Sequence, residues 1–328
     1  MFNQLLNLLI FICTFFTATV VGNEINPKEH EEIQKSSSEG RAILITSSVA
    51  DSVGCERPSA APRSSDDEDS KTFTHPFFLI SIPKSGTHLC AKLLLLLTNK
   101  RHKLMYDVLK YKNFEYFQFE REILQCQKNN CFFCAHPFPD YFDPHLLQFS
   151  DEYPEYIPVL AIRDLRDVMI SFMFHKQLAD NLDQEMGRAA SFDEKLTHLL
   201  SLTNSNQART IESAIRSAIE NWISHPNTII LRFEDLVGSQ GKGGDLKQKE
   251  VILDLASQLG IQPSEEQLQY IYDNLFGNET FPKVSATFKK GEIGNWRHYF
   301  NASHRELFEQ NWGAYQIVLG YSLDDWGS

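Results

Sequence analysis

From residue 77 onward the chain alternates between continuous apolar runs and runs with helical spacing. Residues 77–82, Phe-Phe-Leu-Ile-Ser-Ile, form an unbroken run of β-formers that stops at Pro83, the pattern of a buried strand. The same pattern returns at residues 157–162 and 228–233, and Cys131-Phe132-Phe133 is apolar enough to be another buried strand. Between these runs the spacing lengthens. Residues 89–94, 165–174, 192–202, 208–222, 251–259, 264–276 and 306–319 read as helices, with Ser264 as an N-cap. Residues 105–127 are rich in Tyr and Phe at helical spacing, a stripe that suits a core better than a pocket. The rest of 176–207 is polar and irregular, and 238–244 reads as a flexible loop. Strands separated by helices predict an α/β fold: a parallel sheet with helices on both faces and right-handed crossovers. Ligands of such sheets sit at the carboxyl ends of the strands, which places residues 83–88, Arg163 and residues 233–235 on one rim.

The first strand-to-helix turn carries chemistry. Lys84, Ser85, Gly86, Thr87 and His88 lie between the apolar run and the helix that follows. A helix start offers unpaired N–H groups and a partial positive charge, so this turn reads as an anion site. Gly86 lets the backbone approach a phosphate, Lys84 supplies a full charge, and Ser85 and Thr87 supply hydroxyls. The P-loop pattern G-x-x-x-x-G-K-[ST] is absent, because the lysine precedes the glycine.

Composition narrows the partners. The chain has 328 residues, 42% hydrophobic and 23% charged, which suits a globular domain. Its net charge of −12 argues against nucleic acid as a partner, so a nucleotide needs a local basic cluster. Residues 5–21 are apolar or hydroxylic, short for a membrane span. Residues 1–22 are expected to be a cleaved signal peptide, the alternative being an N-terminal anchor that gives the only contact with a membrane. The localisation that follows is the secretory pathway or secretion. Residues 23–72 are dominated by Glu, Ser and Lys, with an acidic run at 64–70, and read as a disordered linker. The folded domain is expected to occupy residues 73–328. The six cysteines do not form a disulfide framework. Cys126, Cys131, Cys134 and His136 also allow a zinc reading, but the spacing is too tight for a paired-knuckle site, and no metal is expected.

Three segments, in order, resemble the PAPS-dependent sulfotransferases, most closely their cytosolic type, which implies a P-loop-like α/β domain. Pro83-Lys84-Ser85-Gly86-Thr87 is similar to that family's 5′-phosphosulfate loop. The run from Arg163 to Ser171, with arginine and serine eight apart, is similar to its 3′-phosphate motif. Residues 288–300, including Lys289, Lys290 and Gly291, resemble its carboxy-terminal nucleotide segment. The resemblance implies transfer of a sulfuryl group from 3′-phosphoadenosine 5′-phosphosulfate (PAPS) to a hydroxyl or amine, without a required metal. It implies that Lys84, Ser85, Gly86, Thr87 and His88 hold the 5′ end. Arg163, Ser171, Lys289, Lys290 and Gly291 would hold the 3′-phosphate, and Phe233 would stack. His136, in Cys134-Ala135-His136-Pro137-Phe138, stands at the place of the family's general base, with His145 and His175 as rivals.

The chain departs from the family at several points. Cys134 replaces a lysine, Leu89 a tryptophan and Phe233 a tyrosine, while Asn301-Ala302 interrupts the dimer motif, which leaves dimerisation open. The N-terminal apolar segment is a further departure. Two sequons, at Asn278 and Asn301, matter only in a secreted eukaryotic chain. The acceptor, a small molecule, lipid or glycan, is not readable. The competing functions are a P-loop nucleotide kinase and a secreted nucleotide-binding protein without turnover.

Overall fold

The structure is a computed structural model that describes residues 75–104, 116–137, 143–276 and 291–326. Residues 1–72, read as leader and linker, together with Lys289 and Lys290, lie outside the described residues.

A parallel five-stranded sheet forms the centre, in the order β2-β3-β1-β4-β5. Its strands are β1 (Phe77–Ser81), β2 (Arg101–Leu104), β3 (Cys131–Ala135), β4 (Ile157–Ile162) and β5 (Ile229–Arg232). All five residues of β1 are buried, as its continuous apolar run requires of a central strand covered on both faces. Alternation sends successive side chains to opposite layers. Phe77 and Leu79 join a core built with α1 (Thr87–Thr98) and, later in the chain, Ile252, Leu255 and Ile271. Phe78 faces the other way, edge-on to Phe149 and Trp222. Beneath it lie α2 (Tyr116–Lys128) and α3 (Asp143–Glu152), with Phe119 edge-on to Phe133 of β3. Asp143 is fully buried because Trp222 Nε1 and Asn221 Nδ2 donate to its carboxylate, at 2.9 and 3.0 Å.

After β4 come α4 (Leu165–Met173), α5 (Lys176–Met186), α6 (Phe192–Leu200) and α7 (Asn206–Ser217). The single helix expected at 208–222 ends as a π-helical turn over Ala218–Ile223. α5 corrects the irregularity expected before residue 192, whereas α6 is the helix expected at 192–202, started by a Ser191–Glu194 capping box. The chain continues through α8 (Phe233–Leu236), α9 (Asp245–Gln258), α10 (Glu265–Asn274) and α11 (Ala302–Val318). Ser264 caps α10, accepting from Gln267 N–H.

Cys126 and Cys131 form a disulfide, with Cα atoms 5.0 Å apart, tying the end of α2 to the first residue of β3. It uses two of the four ligands that a zinc site would have needed. Cys134, a third, is a free thiol inside the core beside the free Cys90. No described helix is long and apolar enough to cross a membrane.

Candidate active site

The carboxyl ends of β1, β3 and β4 deliver the candidate residues. At the end of β1 the chain turns through Lys84 at φ +70° and Gly86 at φ +91°. A non-glycine residue in the left-handed region holds local strain, of order 1–3 kcal/mol, which the surrounding fold must offset. Gly86 is the N-cap of α1 but brings no side-chain cap to the helix. A Cβ there would stand 2.5 Å from Cδ2 of Phe233, so only glycine lets the turn lie against that ring. The Ser85 hydroxyl is buried and has no hydrogen-bond partner. Thr87 behaves differently: its hydroxyl lies 2.6 Å from that of Ser81, which donates its own proton to the Ile82 carbonyl. Thr87 is therefore the donor of that pair, and its hydroxyl is turned toward β1. His88 is exposed.

Arg163 stands one residue past β4. Its guanidinium carbon lies 4.0 Å from the centroid of Phe233. Nη2 donates to the Glu292 carbonyl at 3.1 Å and lies 3.6 Å from Asp167, while Nε is buried and unpartnered. Asp167 in turn accepts the backbone N–H groups of Gly294 and Trp296, at 2.8 and 2.9 Å. One carboxylate thus ties α4 to the segment that begins at Gly291. That segment is also held by Ile293 N–H on the Gly241 carbonyl and by a Lys242–Glu292 ion pair. Of the nine residues of α4, Ser171 alone is not buried. Phe233 is buried in a small cluster with Val237 and Phe276, against which Leu89 and Ile293 pack. The other arginine of the run, Arg166, is not part of this group. It is buried in ion pairs with Asp164 and Asp325 and lies over Trp296.

Charge is concentrated here. Burial, together with the nearby Arg163 charge, lowers the Lys84 ammonium to a pKa of about 8. Lys84 and Arg163 repel one another, with Asp167 balancing part of the Arg163 charge, and an entering anion relieves that repulsion.

His136 follows β3 directly. Residue Ala135 pairs with Ile80 of β1, so the register sets His136 beside Ser81. The imidazole Nδ1 donates to the Ser81 carbonyl at 2.6 Å. A carbonyl can only accept, so Nδ1 carries the proton and the lone pair is on Nε2. Burial, aided by the Lys84 charge, lowers this histidine to about 4, so it is neutral at pH 7. His175, the N-cap of α5, is lowered to about 4 by the same two causes. His145 sits elsewhere, packed on Tyr116 and Phe119. Cys134 takes the place of a cation with a fully buried thiol whose pKa burial pushes up, so it contributes no charge.

The sulfotransferase domain family matches residues 74–314. The chain belongs to this family. An amine sulfotransferase from Oryctolagus cuniculus is 22% identical over 249 residues, covering 71% of this chain and 78% of that protein. The crystal structure of mouse sulfotransferase SULT7A1 complexed with PAP superposes with a TM-score of 0.49 at 15% identity, over 76% of this chain and 89% of that one. The α/β fold and the sulfotransferase class stand as the motif resemblance implied. The kinase reading falls with the membership. What sequence reasoning missed in this sulfotransferase is Asp167. It lies within the 3′-phosphate motif but carried no role there, whereas its carboxylate anchors the backbone of Gly294 and Trp296.

Proposed function

We propose that this sulfotransferase transfers the sulfuryl group of PAPS to a hydroxyl or amine of a small-molecule acceptor, with His136 as general base and Lys84 at the leaving oxygen. The observation that carries the reading is the convergence of Lys84 and Arg163, from the ends of two neighbouring strands, in one strongly cationic site. Ser85 Oγ and Arg163 Nε are buried polar atoms without partners, which fits a polyanionic ligand.

The roles follow from geometry and charge. Lys84 reads the 5′ end together with Ser85 and the N–H groups at the start of α1, because Gly86 leaves that start uncapped. As negative charge develops on the 5′-phosphate oxygen, the Lys84 ammonium stabilises it. An entering anion also raises the pKa of Lys84, which secures its charge at neutral pH. Arg163 reads the 3′-phosphate with Ser171, Lys289, Lys290 and the Gly291 N–H, its fork braced by Glu292 and Asp167. Phe233 supplies an apolar surface beside this clamp. His136 takes the acceptor proton on Nε2, its ring held in one tautomer by Ser81. The similarity to an amine sulfotransferase supports an amine as acceptor beside a hydroxyl.

Residues 1–22 are read as a cleaved signal peptide, 23–72 as a linker and 73–328 as the catalytic domain. The Cys126–Cys131 disulfide supports a secretory location, since such bonds persist in oxidising compartments. Calorimetric titration with PAP and with adenosine 5′-phosphate tests the site. PAP should bind at least about tenfold more tightly, since a charge-assisted bidentate contact is removed. Equal affinities would remove Arg163 from its role.

A further inference from the structure

The donor reading leaves a buried nitrogen just beyond α4 without a task. His175 Nδ1 is buried and has no hydrogen-bond partner. Its backbone is fully engaged: the N–H donates to the Phe172 carbonyl at 3.0 Å, and the carbonyl accepts from Ala179 N–H at 2.8 Å. Although His175 is the N-cap of α5, its side chain makes no capping bond. The imidazole is thus not spent on holding the helix. It lies four residues beyond Ser171, the one residue of α4 that is not buried.

We propose that His175 is an acceptor-binding residue: Nδ1 makes a hydrogen bond to a second polar group of the acceptor, apart from the hydroxyl or amine that receives the sulfuryl group. An unpartnered buried imidazole nitrogen forfeits a hydrogen bond, and a ligand that supplies one restores it. α4, which carries Ser171, leads directly into His175, and the Lys84 charge acts on both His175 and His136. The ring is neutral at pH 7 and so suits a neutral polar group better than the phosphates of the donor. His136 has its Nδ1 committed to Ser81, whereas His175 has its Nδ1 left over, so the two rings have different tasks. The substrate class is therefore a bifunctional acceptor, such as a diol or an amino alcohol. A site built around a buried polar group rejects the analogue that lacks the matching one.

This inference rests on the proposed donor reading, so PAP is titrated first. A wild-type protein that takes up no PAP sinks that reading and this inference with it. The PAP complex is then titrated by calorimetry with 1-naphthol and with each isomeric dihydroxynaphthalene, for wild type, His175→Phe and His175→Gln. At least one diol should bind the wild-type complex about tenfold or more tightly than 1-naphthol. That preference should fall below about threefold in His175→Phe and survive in part in His175→Gln, with PAP affinity unchanged within about twofold. PAP binding in His175→Phe shows that the fold is intact. A wild-type complex without diol preference, or a preference unaltered in His175→Phe, overturns the inference while leaving the donor reading in place.

Discussion

The Ser81 carbonyl accepts the Nδ1 proton of His136 at 2.6 Å, across two neighbouring parallel strands. This bond fixes the tautomer of the proposed base, and burial keeps the ring neutral down to a pKa of about 4. Replacing His136 with Asn or Ala should cut turnover about a hundredfold to ten-thousandfold, the usual range for loss of a general base. PAP affinity should stay within about twofold, since the base touches the acceptor. Near-normal turnover, or PAP binding lost in step with activity, would return the role to His175.

The pH dependence follows from the same burial. Protonation of His136 removes the base, so the acidic limb of kcat/KM should lie well below 6.5, toward about 4. A limb at 6.5 or above would show that a solvated group controls the rate.

Stability should respond with a definite sign. In the unfolded chain His136 and His175 take up protons near pH 6.5, whereas in the folded protein they do so only near 4. The unfolded state therefore binds more protons between those values, and their contribution to stability falls as the pH drops through that window. The buried Asp143, Asp167 and Glu234, whose pKa values are raised by burial, act in the opposite direction. The readout is thus a difference: His175→Phe should show a shallower loss of Tm between pH 6.5 and 4 than wild type. Parallel curves would contradict the buried, neutral state of the ring.

Gly86→Ala should damage both fold and donor binding. The added Cβ meets the Phe233 ring at 2.5 Å, and φ +91° disfavours any L side chain. A loss of about 1 kcal/mol or more is expected from the backbone alone. Because Phe233 also carries the Arg163 guanidinium, PAP affinity should fall as well. An unchanged Tm with unchanged PAP affinity would mean that the turn is looser than described.

Arg163→Lys keeps the charge and loses the fork. PAP binding should weaken by about tenfold or more, while binding of adenosine 5′-phosphate should barely change. Equal losses for both nucleotides would show that Arg163 serves the turn rather than the 3′-phosphate.

Legibility in the sequence followed burial. β1 and β4 are continuous apolar runs that the sheet buries; β5 was legible by the same pattern, but as an edge strand it leaves Ile230 exposed instead of being buried throughout, and sheet topology alone then set Lys84 and Arg163 on one rim. β2, Arg-His-Lys-Leu, was not read, because its polar sequence becomes a strand only by pairing with β3 at the sheet edge. α3 and α5 were missed because few apolar positions mark them; α3 is secured instead by the Asp143 carboxylate and α5 by a buried Leu182. The fate of Arg166 was not legible, since its partner Asp325 is 159 positions away. The unpartnered nitrogen of His175 was also beyond reach, because an orphan atom is defined by what fails to surround it.

The most direct measurement is transfer of label from ³⁵S-PAPS to a panel of phenols, steroids, amines, lipids and glycans, run with wild type and with Lys84→Ala. Loss of a group that stabilises charge at the leaving oxygen costs about 3 kcal/mol or more. The account predicts a labelled product with wild type and at least about a hundredfold less with Lys84→Ala. A wild-type protein that binds PAP yet labels no member of the panel, or a Lys84→Ala protein that loses less than about tenfold, would contradict it.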